Sequence, residues 1–461
     1  MIRLYNLYLP SRLFTFIAID GLILLAVAAV TMHPADVFHL HFSAWRPLLL
    51  PGLMSVVFLW CLYLFDLYEL DLKPTWQDVF VRSLRALGVA MILLIPVWWL
   101  AVPKDAKYQD LEISLVAFAL VTCLYRLAVE RIRHKVFPHE RLLLVGSGTA
   151  IELLSSALKQ RYSLSFRVSG VVKDAKNARH GIQHFATCGT LDQLEQICEK
   201  FQPHRIAVGP HTVDEKTLPA KLVKLRRQGV RVEDAITLYE ALSGRVPVNQ
   251  VDIKSLAYGN CFQPNSVLCA LYRLCGLILA TMIAVLVSPV FALIAIAIKL
   301  DSRGPVFYRQ ERVGLNGKTF MACKFRSMRI NAEAASGPVW ASENDPRVTR
   351  AGRVLRKLRL DEFAQLWNVI CGEMCLVGPR PERPHFTQLL NKSVPLYDLR
   401  HSVPPGITGW AQVNASYGAS VDESRIKLEY DLFYLKNQSP ILDAVIMFKT
   451  LKIAIFGRGS R

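Results

Sequence analysis

The chain has 461 residues, enough for two to four domains. Hydrophobic residues make up 52% of it and the formal net charge is +18, a combination unusual for a soluble protein. Such an excess of positive charge calls for an anionic partner. The apolar content turns the choice toward a membrane surface and phosphate-bearing substrates rather than nucleic acid. The ten cysteines are scattered, and Cys371 and Cys375 stand four apart with no second pair or histidine cluster beside them. Neither a disulfide framework nor a zinc site is expected. The first apolar run is long and lacks a small-residue cleavage site, which predicts a retained anchor.

In chain order, four apolar runs reach membrane length: Leu13–Met32, Leu48–Phe65, Ala86–Val102 and Leu111–Val129. They predict a four-helix transmembrane bundle over residues 1–135. The connections Met32–Leu48 and Pro103–Asp110 are poor in Lys and Arg, whereas Arg3 and Arg12 flank the first run. Arg126, Arg131, Arg133 and Lys135 gather at the end of the fourth. The positive-inside rule then puts both ends of the bundle in the cytoplasm. Asp20 and Glu112 lie in or near the runs and read as buried polar contacts.

From about His139 the pattern alternates between strand and helix. Arg141–Val145 is a short apolar strand, followed by Gly146-Ser147-Gly148 and a helix-like Ile151–Leu158. Strand-like Arg167–Val172 and Arg205–Val208 flank a helical Leu191–Lys200. This predicts a Rossmann-like α/β unit over 139–258. The third glycine position of a dinucleotide fingerprint is Ile151, and Asp174 is only loosely placed as a ribose acceptor. A lone Gly-x-Gly is weak evidence for a cofactor, so a regulatory or scaffolding role is expected.

Leu274–Ile298 is apolar throughout and long enough to span. Ser288-Pro289 interrupts it, and an interior proline removes a helix hydrogen bond. Arg273 precedes it and Lys299 and Arg303 follow, so both ends carry positive charge. Symmetric basic flanks suit a re-entrant membrane helix over 266–298, entering and leaving on the cytoplasmic face. An ordinary fifth span kinked at Pro289 is the alternative.

Residues 299–461 hold 25 Lys and Arg against 15 Asp and Glu. Within Arg347–Arg359, basic and apolar positions interleave at helical spacing, as in a helix at a lipid headgroup surface. Asp361-Glu362 follow, then Phe363–Ile370, which reads as an amphipathic helix with Asp361 near its positive end. Adjacent carboxylates beside dense arginine suit phosphoryl transfer, one as nucleophile and the pair as a Mg²⁺ site. On spacing alone, a plain helix cap with a charged first turn explains the pair equally well.

The C-terminal part resembles the monotopic phosphoglycosyl transferases, or bacterial sugar transferases. The matching stretches include Lys324-Phe325-Arg326-Ser327-Met328, Asp345-Pro346-Arg347-Val348-Thr349, Leu360-Asp361-Glu362 and Gln365-Leu366-Trp367-Asn368-Val369. Val377-Gly378-Pro379-Arg380-Pro381 and Pro405-Gly406-Ile407-Thr408-Gly409-Trp410 complete the series. Together with Lys299 through Gly314 they cover nearly all of 266–461, and their ordered co-occurrence is specific. The whole layout resembles the long-form members, the undecaprenyl-phosphate hexose-1-phosphate transferases. The tail from Tyr417 to Arg461 looks most like the subgroup linked to exopolysaccharide clusters with PEP-CTERM sorting.

The resemblance implies a mainly helical cytoplasmic catalytic domain over 299–461 in a bacterial inner-membrane enzyme. It implies transfer of a sugar-1-phosphate from a UDP-sugar to undecaprenyl phosphate with Mg²⁺, and a homodimer. Asp361 matches the family nucleophile, and Glu362 its partner in the dyad and in metal binding. Phosphate and substrate contacts fall to Arg356, Arg380 with its flanking Pro379 and Pro381, Lys324 and Arg326. Ser288 and Pro289 match the helix break. Cys275, Ala364 and the loop Asn414–Gly418 depart from the common pattern, the last where sugar or nucleotide choice is expected to lie. A nucleotide-sugar oxidoreductase would need an intact glycine fingerprint and a Tyr-x-x-x-Lys pair within 139–258, and neither occurs. A non-enzymatic scaffold would leave the ordered motifs unexplained.

Overall fold

The computed structural model describes residues 2–4, 7–9, 15–23, 26, 46–68, 75–101, 116–117, 120–128, 140–160, 166–173, 185–210, 218–250, 266–330, 332, 345–415 and 420–456. Glu112, Asp174 and residues 416–418 of the departing loop lie outside them. Apart from a short N-terminal stretch, the chain divides into two compact units at Leu238/Tyr239.

In the first unit, helical residues 15–23 and 120–128 join helices α1 (Arg46–Leu64) and α2 (Trp76–Ala101) around one apolar core. Phe58, Cys61, Leu62, Ala86, Ala90 and Leu94 fill it. Asp20 is fully buried there and accepts hydrogen bonds from the Tyr68 hydroxyl at 2.7 Å and from Arg126. Arg126 also donates to the Leu67 carbonyl at 2.6 Å. Arg126, counted from sequence among the charges flanking the fourth run, is instead a buried partner. Pairing is what makes a carboxylate tolerable in such a core.

The same unit holds strands β1 (Glu140–Val145), β2 (Phe166–Lys173), β3 (Thr187–Thr190), β4 (Arg205–Val208) and β5 (Arg231–Asp234). All pair in parallel in the order β3-β2-β1-β4-β5, with helices α3 (Thr149–Gln160), α4 (Leu194–Phe201) and α5 (Leu218–Arg227) between them. This is the Rossmann-like half-fold the alternation predicted. Leu142–Val145 are wholly buried, as a strand covered on both faces requires. Ile151 is also wholly buried. A Cβ added to Gly209 would lie 2.9 Å from its side chain, so Ile151 fills the helix–strand contact where a third fingerprint glycine would let the two elements close up.

Helix α6 (Ala235–Ser243) carries the chain across the unit boundary. Its last residues belong to the second unit, where the Trp410 indole donates to the Gly244 carbonyl at 2.8 Å and Lys436 pairs with Glu240 at 2.7 Å. Helix α7 (Ser266–Asp301) follows. Its segment Arg273–Asp301 is the one helix among the described residues long and apolar enough to cross a membrane. The helix runs on through Pro289. That residue lacks the N–H that would bond the Val285 carbonyl, and the Ser288 hydroxyl donates to that carbonyl instead, at 2.7 Å. One face of α7 packs on protein through Ala280, Phe291, Ile294 and Ile298, while Ile278, Met282, Leu286 and Leu293 stay exposed.

The rest of the second unit is mainly helical around two small sheets. β6 (Phe307–Val313) and β7 (Thr319–Phe325) form an antiparallel hairpin, with Tyr308 opposite Lys324 and Arg312 opposite Phe320. Helices α8 (Arg350–Lys357) and α9 (Leu366–Ile370) lead to β8 (Cys375–Val377). Helix α10 (Pro384–Ser393) then leads to β9 (Gly406–Thr408), which pairs in parallel with β8. Helices α11 (Trp410–Asn414), α12 (Val421–Asn437) and α13 (Pro440–Phe456) close the core. A capping box between Ser420 and Glu423 starts α12.

Candidate active site

The end of β7 organises the site, because consecutive residues there reach different neighbours. Lys324 donates to the Glu362 carboxylate at 3.2 Å. Phe325 is buried with Phe291 of α7 edge-on at 5.4 Å. Arg326 donates to the Ser302 carbonyl at 2.8 Å, the Ser302 hydroxyl at 2.9 Å and the Arg303 carbonyl at 2.9 Å. Arg326, expected among the phosphate ligands, is therefore placed as the anchor of the chain leaving α7. Ser327 receives the Arg356 Nε on its hydroxyl at 3.0 Å and the Thr349 N–H on its carbonyl at 3.0 Å.

These bonds seat α8. Its cap Thr349 accepts the Gly352 N–H at 3.0 Å, and Asp301 at the end of α7 accepts the Ala351 N–H at 2.9 Å. Gly352 must be glycine, since a Cβ there would lie 2.0 Å from the Ser327 carbonyl oxygen. The apolar residues of this helix face, Val354 and Leu358, stay exposed, as does Trp367 beyond the dyad.

The chain reverses after α8 at Arg359, whose φ of 55° and ψ of 20° are left-handed. Leu360–Gln365 then winds as a 3₁₀ turn, and only Leu366–Ile370 is α-helical. This shortens the helix expected over Phe363–Ile370, whose first residues belong to the 3₁₀ winding. The chain has six residues in which to leave Arg359 and bury Ala364 and Gln365, and 3₁₀ winding is the tighter way to do so. Five α-helical residues carry little dipole, so side-chain charge governs Asp361 instead. Asn368 locks this turn to β7. Its side chain accepts the Cys323 N–H at 2.9 Å and donates to the Met321 carbonyl at 2.8 Å and to Glu373 at 2.6 Å.

The two carboxylates sit in different fields. Glu362 accepts both Nη groups of Arg380, one at 3.0 Å, besides Lys324. Burial pushes its carboxyl up, but Arg380 and Lys324, with Arg359, outweigh burial and hold it well below the ordinary glutamate range. Asp361 is pushed up by burial and then by the Glu362 charge, against the pull of Lys324, Arg356 and Arg380. One carboxylate is fixed and ionised, and its neighbour is poised higher. Lys324 is itself lowered by burial, with Glu362 opposing.

Pro379 and Pro381 give the loop its stiffness. The Gly406 N–H donates to the Pro379 carbonyl at 2.9 Å, and Arg312 Nη1 to the Pro381 carbonyl at 3.0 Å. Ser288 and Pro289 stand exposed on α7 and make no described bond to the dyad. The structure thus brings Asp361, Glu362, Lys324, Arg356, Arg380 and the two prolines together. Arg312, Arg359 and Asn368 join them, and sequence reasoning had not singled these out. The sequence signal for Arg312 and Asn368 was membership in the motifs, and for Arg359 its place at the end of the basic stretch before the dyad. No group of three or more His, Cys, Asp or Glu side chains able to hold a metal occurs among the described residues. Two adjacent hard carboxylates nonetheless fit Mg²⁺, which takes one or two carboxylates and completes its shell with phosphate and water.

Residues 268–457 match the family model described as bacterial sugar transferase. A UDP-glucose:undecaprenyl-phosphate glucose-1-phosphate transferase of Klebsiella pneumoniae is 32% identical over 395 residues, 81% of this chain and 83% of that protein. The protein of that name from Escherichia coli K12 is 32% identical over 345 residues, 73% of each chain. A UDP-N-acetylgalactosamine-undecaprenyl-phosphate N-acetylgalactosaminephosphotransferase of Aeromonas hydrophila is 42% identical over 222 residues, 48% of this chain and only 52% of its own length. The Klebsiella pneumoniae match, 32% identical over most of both proteins, together with the family model, shows that the chain belongs to the bacterial sugar transferase family.

Proposed function

We propose that this enzyme transfers a sugar-1-phosphate from a UDP-sugar to undecaprenyl phosphate at the cytoplasmic face of the inner membrane, opening assembly of an exopolysaccharide or related glycan. The observation that carries the reading is the asymmetric dyad, with Glu362 clamped by Arg380 and Lys324 beside a half-buried Asp361 whose proton affinity is raised. An aspartate with a raised proton affinity is the better nucleophile once ionised. Its carboxylate oxygen would attack the β-phosphorus of the donor. The bond to the bridging oxygen breaks, UMP departs, and an aspartyl phospho-sugar remains. A phosphate oxygen of undecaprenyl phosphate then attacks the same phosphorus, freeing Asp361 and forming the lipid diphosphate sugar. Mg²⁺ held by Asp361 and Glu362 would offset the charge of the diphosphate. Arg356 lies close enough to lower the proton affinity of Asp361, and its planar fork suits a phosphate oxygen. Two anionic substrates bind in turn at one cationic centre, which predicts ping-pong kinetics.

The re-entrant reading of α7 has its own support. Arg273 near the start of the helix lies against Gly372, and Ile298 near its end packs with Phe325 and Leu355. Ala280 and Ile283 between them pack with Leu366 and Val369. A straight span of that length, about 37 Å, would touch a cytoplasmic domain at one end only. The four-span N-terminal bundle and dimerisation through it complete the proposal.

The test is UMP release by nanodisc-held protein given undecaprenyl phosphate, Mg²⁺ and a panel of UDP-sugars including glucose and N-acetylgalactosamine donors. Release with one or two donors, abolished in Asp361→Asn, is the expected outcome. Full activity in Asp361→Asn removes the nucleophile and the covalent step with it.

A further inference from the structure

Of the three carbonyls in Pro379-Arg380-Pro381, the outer two bond Gly406 and Arg312, and the middle one is held from a third direction. Arg400, on the 3₁₀ turn Tyr397–Ser402, donates from Nη2 to the Arg380 carbonyl at 2.9 Å and from Nη1 to the Tyr397 hydroxyl. The same Nη2 lies 2.8 Å from the carboxylate of Asp431 on α12, an ion pair off the line of a hydrogen bond. The side chains of Arg400 and Asp431 are only 7% and 1% exposed. Asp431 is set among Leu428, Leu432, Phe433 and Leu435 of the core.

A charge pair buried this deeply is a poor way to stabilise a fold, because apolar residues of similar volume do as well or better. Its placement offers a different account. The flanking prolines lack N–H groups, so carbonyls are the main handles by which this stretch can be gripped. Each of the three is gripped by a separate element: β9 through Gly406, β6 through Arg312, and the Tyr397–Ser402 turn through Arg400. The residue so fixed is the one whose guanidinium meets both oxygens of Glu362.

We infer that Arg400, held in turn by Asp431 and Tyr397, is a positioning residue of the transfer site: it fixes the Arg380 main chain and so aims the Arg380 guanidinium at Glu362. The inference deepens the transferase reading and rests on it for its catalytic consequence. Arg400 touches neither the dyad nor any reacting atom, and acts only through Arg380.

The test replaces the buried cluster by apolar side chains, Tyr397→Phe/Arg400→Met/Asp431→Leu, which leaves no orphaned charge. Arg400→Lys serves as a gentler second variant, since its ammonium ends about where the Arg400 Cζ stands, short of the partners that Nη1 and Nη2 now reach. The full-length variants are held in nanodiscs and treated with phenylglyoxal, and modification of Arg380 is followed by peptide mass spectrometry. Faster modification of Arg380 than in wild type is expected in both, several-fold in the triple variant, with a melting temperature near wild type. The kcat for UMP release should fall about 10–100-fold, as when the support of an active-site group is removed. Folded variants whose Arg380 reacts as slowly as in wild type overturn the inference, whatever their turnover. Wild-type protein that releases no UMP from any donor would instead defeat the transferase reading, and the labelling would still decide whether Arg400 holds Arg380.

Discussion

Adding a single methyl group at Gly352 should disable the site from a distance. The new Cβ would lie 2.0 Å from the Ser327 carbonyl oxygen, 2.6 Å from its carbon and 2.8 Å from its Cα, all main-chain atoms that no rotamer change can move aside. Ordinary contact begins at 3.4 Å, so α8 must retreat from Ser327 by roughly 1 Å or more. Overpacking of this kind destabilises by about 1–3 kcal/mol. For a unit of this size that lowers the melting temperature by roughly 3–10 °C. The retreat also stretches the 3.0 Å bond from Arg356 to the Ser327 hydroxyl. Arg356 then loses its aim at the dyad, and a displacement near 1 Å can reduce a rate by about 100-fold. Thermal unfolding and UMP release of Gly352→Ala in nanodiscs measure both effects. Ser327→Ala, which removes the bond without the clash, should lower the rate with little change in melting temperature. A Gly352→Ala protein with wild-type stability and rate would show that α8 does not seat on Ser327, and would refute the reasoning.

Other consequences follow from the same geometry. Because Asp361 is pushed up, its ionised fraction declines as pH falls through a value above the ordinary aspartate range of about 3.9. The acid limb of the rate–pH profile should lie correspondingly high. Glu362→Gln removes the neighbouring charge and should move that limb to lower pH in whatever activity remains; an unmoved limb argues against coupling between the two. Arg326→Met deletes three buried bonds to Ser302 and Arg303 and should cost about 2–4 kcal/mol in a denaturant titration. Donor KM should stay at its wild-type value in the folded fraction, and a large rise would restore Arg326 to the substrate contacts. Asn368→Leu orphans the Cys323 N–H and the Met321 carbonyl and should cost about 2–5 kcal/mol, and a melting curve indistinguishable from wild type would exclude its role as the lock on β7.

What the sequence disclosed and what it hid divide along physical lines. Periodicity revealed the parallel sheet, because buried runs such as Leu142–Val145 alternate with helices whose apolar spacing is regular. The ordered motifs pointed to residues that the structure sets around the dyad: Lys324 and Arg380 bond Glu362, and the charge of Arg356 acts on Asp361. A basic residue reads the same in sequence whether it faces a phosphate or a carbonyl, so the anchoring roles of Arg326 and Arg126 were hidden. The left-handed turn at Arg359 was hidden too, since nothing in an arginine signals a positive φ. The 3₁₀ turn that carries the dyad followed from that same conformation rather than from any spacing.

Lys324 and Arg326 are neighbours but one along the same stretch of chain. The first grips Glu362 beside Asp361, and the second grips the chain at the end of the long apolar helix. About 7 Å of extended backbone separates the two grips. On the proposed reading of α7 as the membrane anchor, the height of Asp361 above it is therefore a fixed offset, set like the stop on a depth gauge. Bilayers of different thickness or fluidity would then raise or lower this unit as a body without changing the level of Asp361 relative to that helix.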